Sequence, residues 1–479
     1  MFKFEAIYLK LHKHLHYIYL LYAIPMVYLA ATITPPFQNP DEPNHFLRGE
    51  QISRFDIVPI FIRDKENVST RSDSIFTDPQ IIYPDKGGFA ADKGILDAAQ
   101  VFSPIQFHLK DKISSRLTDS VENIKWGTGI GYKNFGNTVI YPPVVYAMPA
   151  MGIVAGKLFH LPVIKTLYLS RILNGIFSIT LCFFALLLAK RSNILMFIVL
   201  LFPMTVALFA SVSQDASIIS CAFLLVAIID NTEFGNKTYA KWQVYAMIIL
   251  MSIIGIAKPP YVLLTFIFLF LKLDRKTKAT GIIVPLLSVL TWFVIDRANF
   301  AIKFAPPELR VNAQLQVLHI IHHPFKFIGL FFEFDKQALI ACLHSFIGIL
   351  GWLDLPFSTN YYQIASITLF AGFIIGLSSS WKDHIQLKTG LLICAFITLI
   401  AVLTAQYVTW TALEATSLSG MQGRYLLPIF PFIALAVSNV VKYEKFDRLR
   451  EALFLAILLL PIFTAVTIIE GLINRYYPG

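Results

Sequence analysis

Of 479 residues, 56% are hydrophobic and only 15% charged, against roughly 25% charged in soluble domains, which excludes an ordinary soluble enzyme. The net charge of +10 is not gathered on a polar module, so a nucleic-acid-binding role is excluded too. The four cysteines, Cys182, Cys221, Cys342 and Cys394, stand among apolar residues without CxxC spacing and read as core fillers.

The apolar residues fall in blocks of about 20, the length that crosses a hydrocarbon core as a helix. They are rich in Leu, Ile and Phe and lack two-residue alternation, which selects helices over a barrel. Residues 1–16 carry Lys3, Lys10, Lys13 and three histidines and are expected on the cytoplasmic side. The first span is predicted at 17–34. It ends in Thr-Pro-Pro rather than a small-residue cleavage site, so it reads as a retained helix and not a signal peptide.

Residues 35–138 then form a large polar loop with 14 acidic and 12 basic residues, expected to be extracytoplasmic and to carry short surface helices. The rest of the chain holds 28 basic against 16 acidic residues, a bias suited to spans joined by short cytoplasmic turns. Transmembrane helices are predicted through 139–296. Basic runs at Lys272–Lys278 and Lys442–Arg450 mark cytoplasmic turns. Counting spans to the first of them requires one block between 139 and 271 to be re-entrant, or two to merge. Region 297–360 is polar and then apolar, broken by Glu333, Asp335, Lys336 and His344; it reads as an extracytoplasmic amphipathic or re-entrant segment. C-terminal spans fill 361–479. The expectation is an all-α integral membrane bundle of about 11–13 transmembrane helices.

The sharpest local signal is Pro35-Pro36-Phe37-Gln38-Asn39-Pro40-Asp41-Glu42-Pro43-Asn44-His45-Phe46. Two adjacent carboxylates follow the first span in a proline-stiffened turn, with a histidine close behind. Such acids suit a general base that takes a hydroxyl proton; Asp41 is equally suited to capping a helix that begins at Pro43. Arg424, in Gly423-Arg424-Tyr425, reads either as a planar fork for phosphate oxygens or as an interface anchor beside Tyr425. Lys258, between two apolar blocks, is a costly charge in a bundle or an ordinary loop lysine. Asp215 lies in a polar turn between spans, and Arg171 shares a helical face with Asn174 in a structural role. Tyr141, opening Tyr141-Pro142-Pro143, is either part of an aromatic edge for sugar or lipid or a common interfacial tyrosine.

The outward Asp41-Glu42 pair resembles the first-loop motif of GT-C glycosyltransferases; protein O-mannosyltransferases carry a similar acidic pair followed by His-Phe. Four patches, PPFQNPDEPNHFLRG, YPPVVYAMPAMG (141–152), FIGILGWLD (346–354) and MQGRYLLPIFP (421–431), are similar to a large family of bacterial membrane proteins of unknown function allied to that superfamily. The resemblance implies a GT-C-like bundle in the bacterial inner membrane with an extracytoplasmic active site. Asp41 would be the catalytic base and Glu42 its partner, with Arg424, Tyr425, His45, Lys258 and Tyr141 binding substrate and phosphate. The resemblance fixes no cofactor, and a divalent metal on Asp41 and Glu42 stays an open option. The implied reaction moves a sugar from a polyprenyl-phosphate donor to a glycan, lipid or protein acceptor. A lipid-linked oligosaccharide flippase or transporter, and a surface-polysaccharide polymerase, are the alternatives.

Overall fold

The computed structural model describes residues 11–63, 87–235, 237–302, 305, 309–331, 336–376, 384–418, 420–438 and 447–478. Lys3, Lys10, Glu333, Asp335, Lys442 and Lys445 lie outside them. The chain is predominantly helical. Among the described residues, six helices are long and apolar enough to cross a membrane: Leu15–Ile33, Val163–Leu188, Gln214–Glu233, Arg275–Ile295, Ile385–Trp410 and Leu449–Tyr476. Three shorter apolar helices, Pro143–Leu158, Lys241–Ala257 and Pro259–Phe270, stand among them.

Thr359–Gly376 is a further continuous helix, whereas several other apolar blocks of the sequence form broken helices, with proline as the main reason. The block at 194–212 is two helices, Asn193–Leu200 and Pro203–Phe209, with Pro203 opening the second. At about 1.5 Å rise per residue neither piece crosses a bilayer alone. After Pro259-Pro260 the chain winds as a 3-10 helix to Phe270. The block near 425–441 yields only Phe430–Val437 as α-helix.

Burial sorts the spans by position. Gln214–Glu233 is enclosed along almost its whole length and forms the centre of the bundle. Arg275–Ile295 lies at the rim, with Ile283, Leu287, Leu290 and Phe293 exposed. Large apolar side chains turned outward along a helix fit hydrocarbon rather than water as their surroundings.

The polar loop is a small folded unit. Gly87–Asp92 pairs antiparallel with both Ile62–Arg63 and Ile130–Lys133. Asp92 caps the helix Lys93–Phe102 by accepting from the Gly94 amide, and its other oxygen accepts from the Gly127 amide. The unit is fastened to the C-terminal helix. Arg475, ion-paired with Asp354 at 2.7 Å, donates to the carbonyls of Ile105 and Asp111. These anchors hold the loop over one end of the bundle.

Candidate functional site

The motif after the first span folds as a tight turn followed by the helix Glu42–Ser53. Asp41 occupies the N-cap position in left-handed backbone (φ 57°), a region that Asp tolerates better than most residues. Its side chain makes no capping bond to the helix. Instead Oδ1 accepts from the Asn137 amide at 3.2 Å, and Asn137 in turn accepts from Asn44 at 2.9 Å.

Glu42 goes the other way. It is fully buried and forms a bidentate pair with Arg171 of the span Val163–Leu188, at 2.8 and 2.5 Å. The same guanidinium donates to the carbonyls of Ala31, Thr34 and Pro35, and Glu42 also accepts from the Val212 amide and Asn39. Every polar group of this pair is engaged. A supporting catalytic role for Glu42 does not fit that geometry, and neither does a divalent cation shared between Asp41 and Glu42. Among the described residues no group of three or more His, Cys, Asp or Glu side chains converges elsewhere.

Two further side chains, Arg48 and His45, seat the motif helix. Arg48 donates to the Tyr141 carbonyl through Nε and Nη2, at 3.1 and 2.9 Å, drawing the Tyr141-Pro142-Pro143 stretch against the helix. His45, one helical turn beyond Asp41, shares a 2.6 Å hydrogen bond with the Tyr146 hydroxyl. Burial pushes the His45 imidazole down to about 4, so the ring is neutral near pH 7.

Three more elements converge opposite. The residue before a proline is disfavoured in α conformation, so Pro259 ends the helix Lys241–Ala257 and leaves Lys258 extended at its tip. Asp215, in the first turn of the central span, accepts from Lys258 Nζ at 2.5 Å, and Arg424 stands 3.9 Å from its other oxygen. Gly423 makes the position of Arg424 attainable: its amide donates to Ser345 Oγ at 2.7 Å, and a Cβ there would collide with the backbone of Cys342 and Phe346. The Tyr425 carbonyl accepts from the Tyr261 hydroxyl, and the Tyr425 ring lies 4.8 Å from Lys258 Nζ.

Asp41, His45, Tyr141, Lys258, Arg424 and Tyr425 all line one cavity of about 560 Å³. Of the residues that the resemblance places in the site, Glu42 alone is absent from this lining. The cavity has an acid on one wall and two cations on another, with Arg424 Nε buried and without a hydrogen-bond partner. A buried guanidinium with an unused donor is suited to an anionic oxygen. Sequence reasoning missed the amides of Asn137, Gln214, Gln406 and Gln422 and the ring of Trp410, which share this lining. The one available signal was Gln422, two residues before Arg424 in a patch already picked out.

A family model described as predicted membrane protein (DUF2142) matches residues 26–433. The chain belongs to that family. In this DUF2142 chain the match takes in all six of the singled-out residues that face the cavity. No curated protein sequence matches it. Among solved structures it is similar to the archaeal oligosaccharyltransferase AglB from Archaeoglobus fulgidus, determined in complex with an inhibitory peptide and a dolichol-phosphate. The TM-score is 0.36 at 13% identity, over 98% of this chain and 57% of that one. The DUF2142 chain thus spans a little over half the length of AglB.

Proposed function

We propose that this protein is a membrane glycosyltransferase that moves a sugar from a polyprenyl-phosphate donor to an acceptor hydroxyl on the extracytoplasmic side. The observation that carries the reading is the cavity itself. It joins a carboxylate held by an amide to a Lys258–Arg424 cation pair that shares the Asp215 carboxylate.

The chemistry follows from those groups. Asn137 occupies one oxygen of Asp41, and the carboxylate takes the acceptor proton as the acceptor oxygen attacks the anomeric carbon. The bond from that carbon to the phosphate oxygen breaks, and the lipid phosphate leaves toward Arg424 and Lys258, which stabilise its growing charge. A single displacement without a protein nucleophile inverts the anomeric centre. Glu42 and Arg171 act at one remove, fixing the turn that carries Asp41.

The deciding experiment is Asp41→Asn. The amide keeps the side-chain size and can still accept from Asn137, so folding is expected to change by about 1 kcal/mol or less. Transfer is expected to fall on the order of 10²-fold or more. It is read by mass spectrometry of surface glycans in a deletion strain carrying the variant, with thermal stability of the purified protein as control. A stable, fully active Asp41→Asn protein removes the base and returns a lipid-linked glycan transporter to first place. Orientation is read separately: a cysteine at exposed Lys110 should react with a membrane-impermeant thiol reagent in cells whose inner membrane is intact.

A further inference from the structure

Arg424 and Lys258 account for a phosphate, but the wall beside them is built for something else. Gln406 and Trp410 lie one turn apart near the end of the span Ile385–Trp410, and both line the cavity. Gln422 joins them from the stretch that carries Arg424. Its Oε1 is buried with no hydrogen-bond partner. Gly420, in left-handed backbone at φ 71°, presses directly on this pair: a Cβ there would collide with the Trp410 ring and the Gln406 amide. The loop thereby holds the Trp410 and Gln406 side chains in place without adding any charge to the wall.

A buried amide oxygen without a partner costs free energy unless a ligand supplies a donor. A large ring beside uncharged amides suits a sugar, whose C–H face packs on the ring while its hydroxyls bond the amides. An acidic sugar would bring a second negative charge into a wall whose cations are already committed to a phosphate and to Asp215. Gln422 and Arg424 are two residues apart and line the same cavity, a spacing that a ring bonded directly to its phosphate can bridge.

We infer that Gln406, Trp410 and Gln422 form a subsite for the neutral pyranose ring of the donor, joined to the phosphate at Arg424. This rests on the lipid-phosphate reading of the cavity and adds the class of sugar to it.

The test is binding by the purified full-length protein in detergent. The probes are inorganic phosphate, the 1-phosphates of glucose, galactose, mannose and N-acetylglucosamine, and glucuronic acid 1-phosphate. At least one neutral hexose 1-phosphate should bind more tightly than phosphate. Trp410→Ala and Gln422→Ala should each weaken it on the order of tenfold while leaving inorganic phosphate unchanged. Trp410→Phe, which keeps a ring, should retain most of the affinity and serves if the alanine variant fails to fold. Hexose phosphates that bind no better than phosphate, or that ignore both Trp410 and Gln422, overturn the subsite. Glucuronic acid 1-phosphate binding as tightly as the best neutral sugar overturns its neutrality. Arg424→Gln separates the two levels: if it leaves inorganic phosphate binding unchanged, the phosphate reading fails, whatever the sugars do.

Discussion

The buried Glu42–Arg171 pair makes an asymmetric prediction. Both side chains are fully enclosed, so solvent does not screen the loss of either. Arg171→Met strands the Glu42 carboxylate with only the Val212 amide and the Asn39 side chain as donors. Removing one partner of a buried pair costs about 3–5 kcal/mol. Glu42→Gln leaves Arg171 with three backbone carbonyls, those of Ala31, Thr34 and Pro35, and a polar partner of unchanged size. Its cost should be nearer that of one imperfectly satisfied buried group, about 1–3 kcal/mol. The double variant should be more stable than Arg171→Met alone, since it removes the stranded charge. The assay is the fraction of monodisperse protein surviving a temperature series in detergent, which ranks variants even where unfolding is irreversible. Equal losses, or a Glu42→Gln protein weaker than Arg171→Met, would refute the reasoning.

Two other outcomes are expected. Arg424→Lys keeps the charge but loses the fork, and transfer should fall by orders of magnitude with expression unchanged, measured as surface-glycan product per milligram of membrane protein. His45 supplies a pH dependence. Its folded value of about 4 lies below the ordinary 6.5, so the unfolded chain binds the proton first. Stability should therefore be intact above about pH 6.5 and decline toward pH 4, by up to roughly 3 kcal/mol in total. Thermal inactivation between pH 7.5 and 4.5 checks it, and His45→Gln should flatten the slope.

The membrane class was legible because blocks of Leu, Ile and Phe leave little choice of solvent. Span count was less legible, because hydropathy counts composition and not continuity. Pro203 sits inside an apolar block in the sequence, yet it opens a new helix in the structure. Asp41, His45 and Arg424 stood out as charges or titratable groups in unexpected company. The tertiary partners did not: Arg171 lies 129 positions from Glu42, and nothing local to either residue announces the other. Amides were least legible of all. Asn137, Gln406 and Gln422 carry no charge and no periodic signature, so only their convergence on a shared cavity gives them meaning. Glu42 was misread for the opposite reason, since adjacency to Asp41 in sequence suggested a shared task. The turn sends the two carboxylates to different sides.

The same ion pair bears on how the protein is made. An arginine entering a bilayer on its own helix is costly, and Arg171 belongs to a span made well after the first. Yet its acceptors, the carbonyls of Ala31, Thr34 and Pro35 and the Glu42 carboxylate, all lie more than a hundred residues upstream of it in the chain. With N-terminal segments emerging first, the socket for this guanidinium is synthesised before the guanidinium itself. Insertion of the span Val163–Leu188 and locking of the Asp41 turn thereby become a single step in biogenesis.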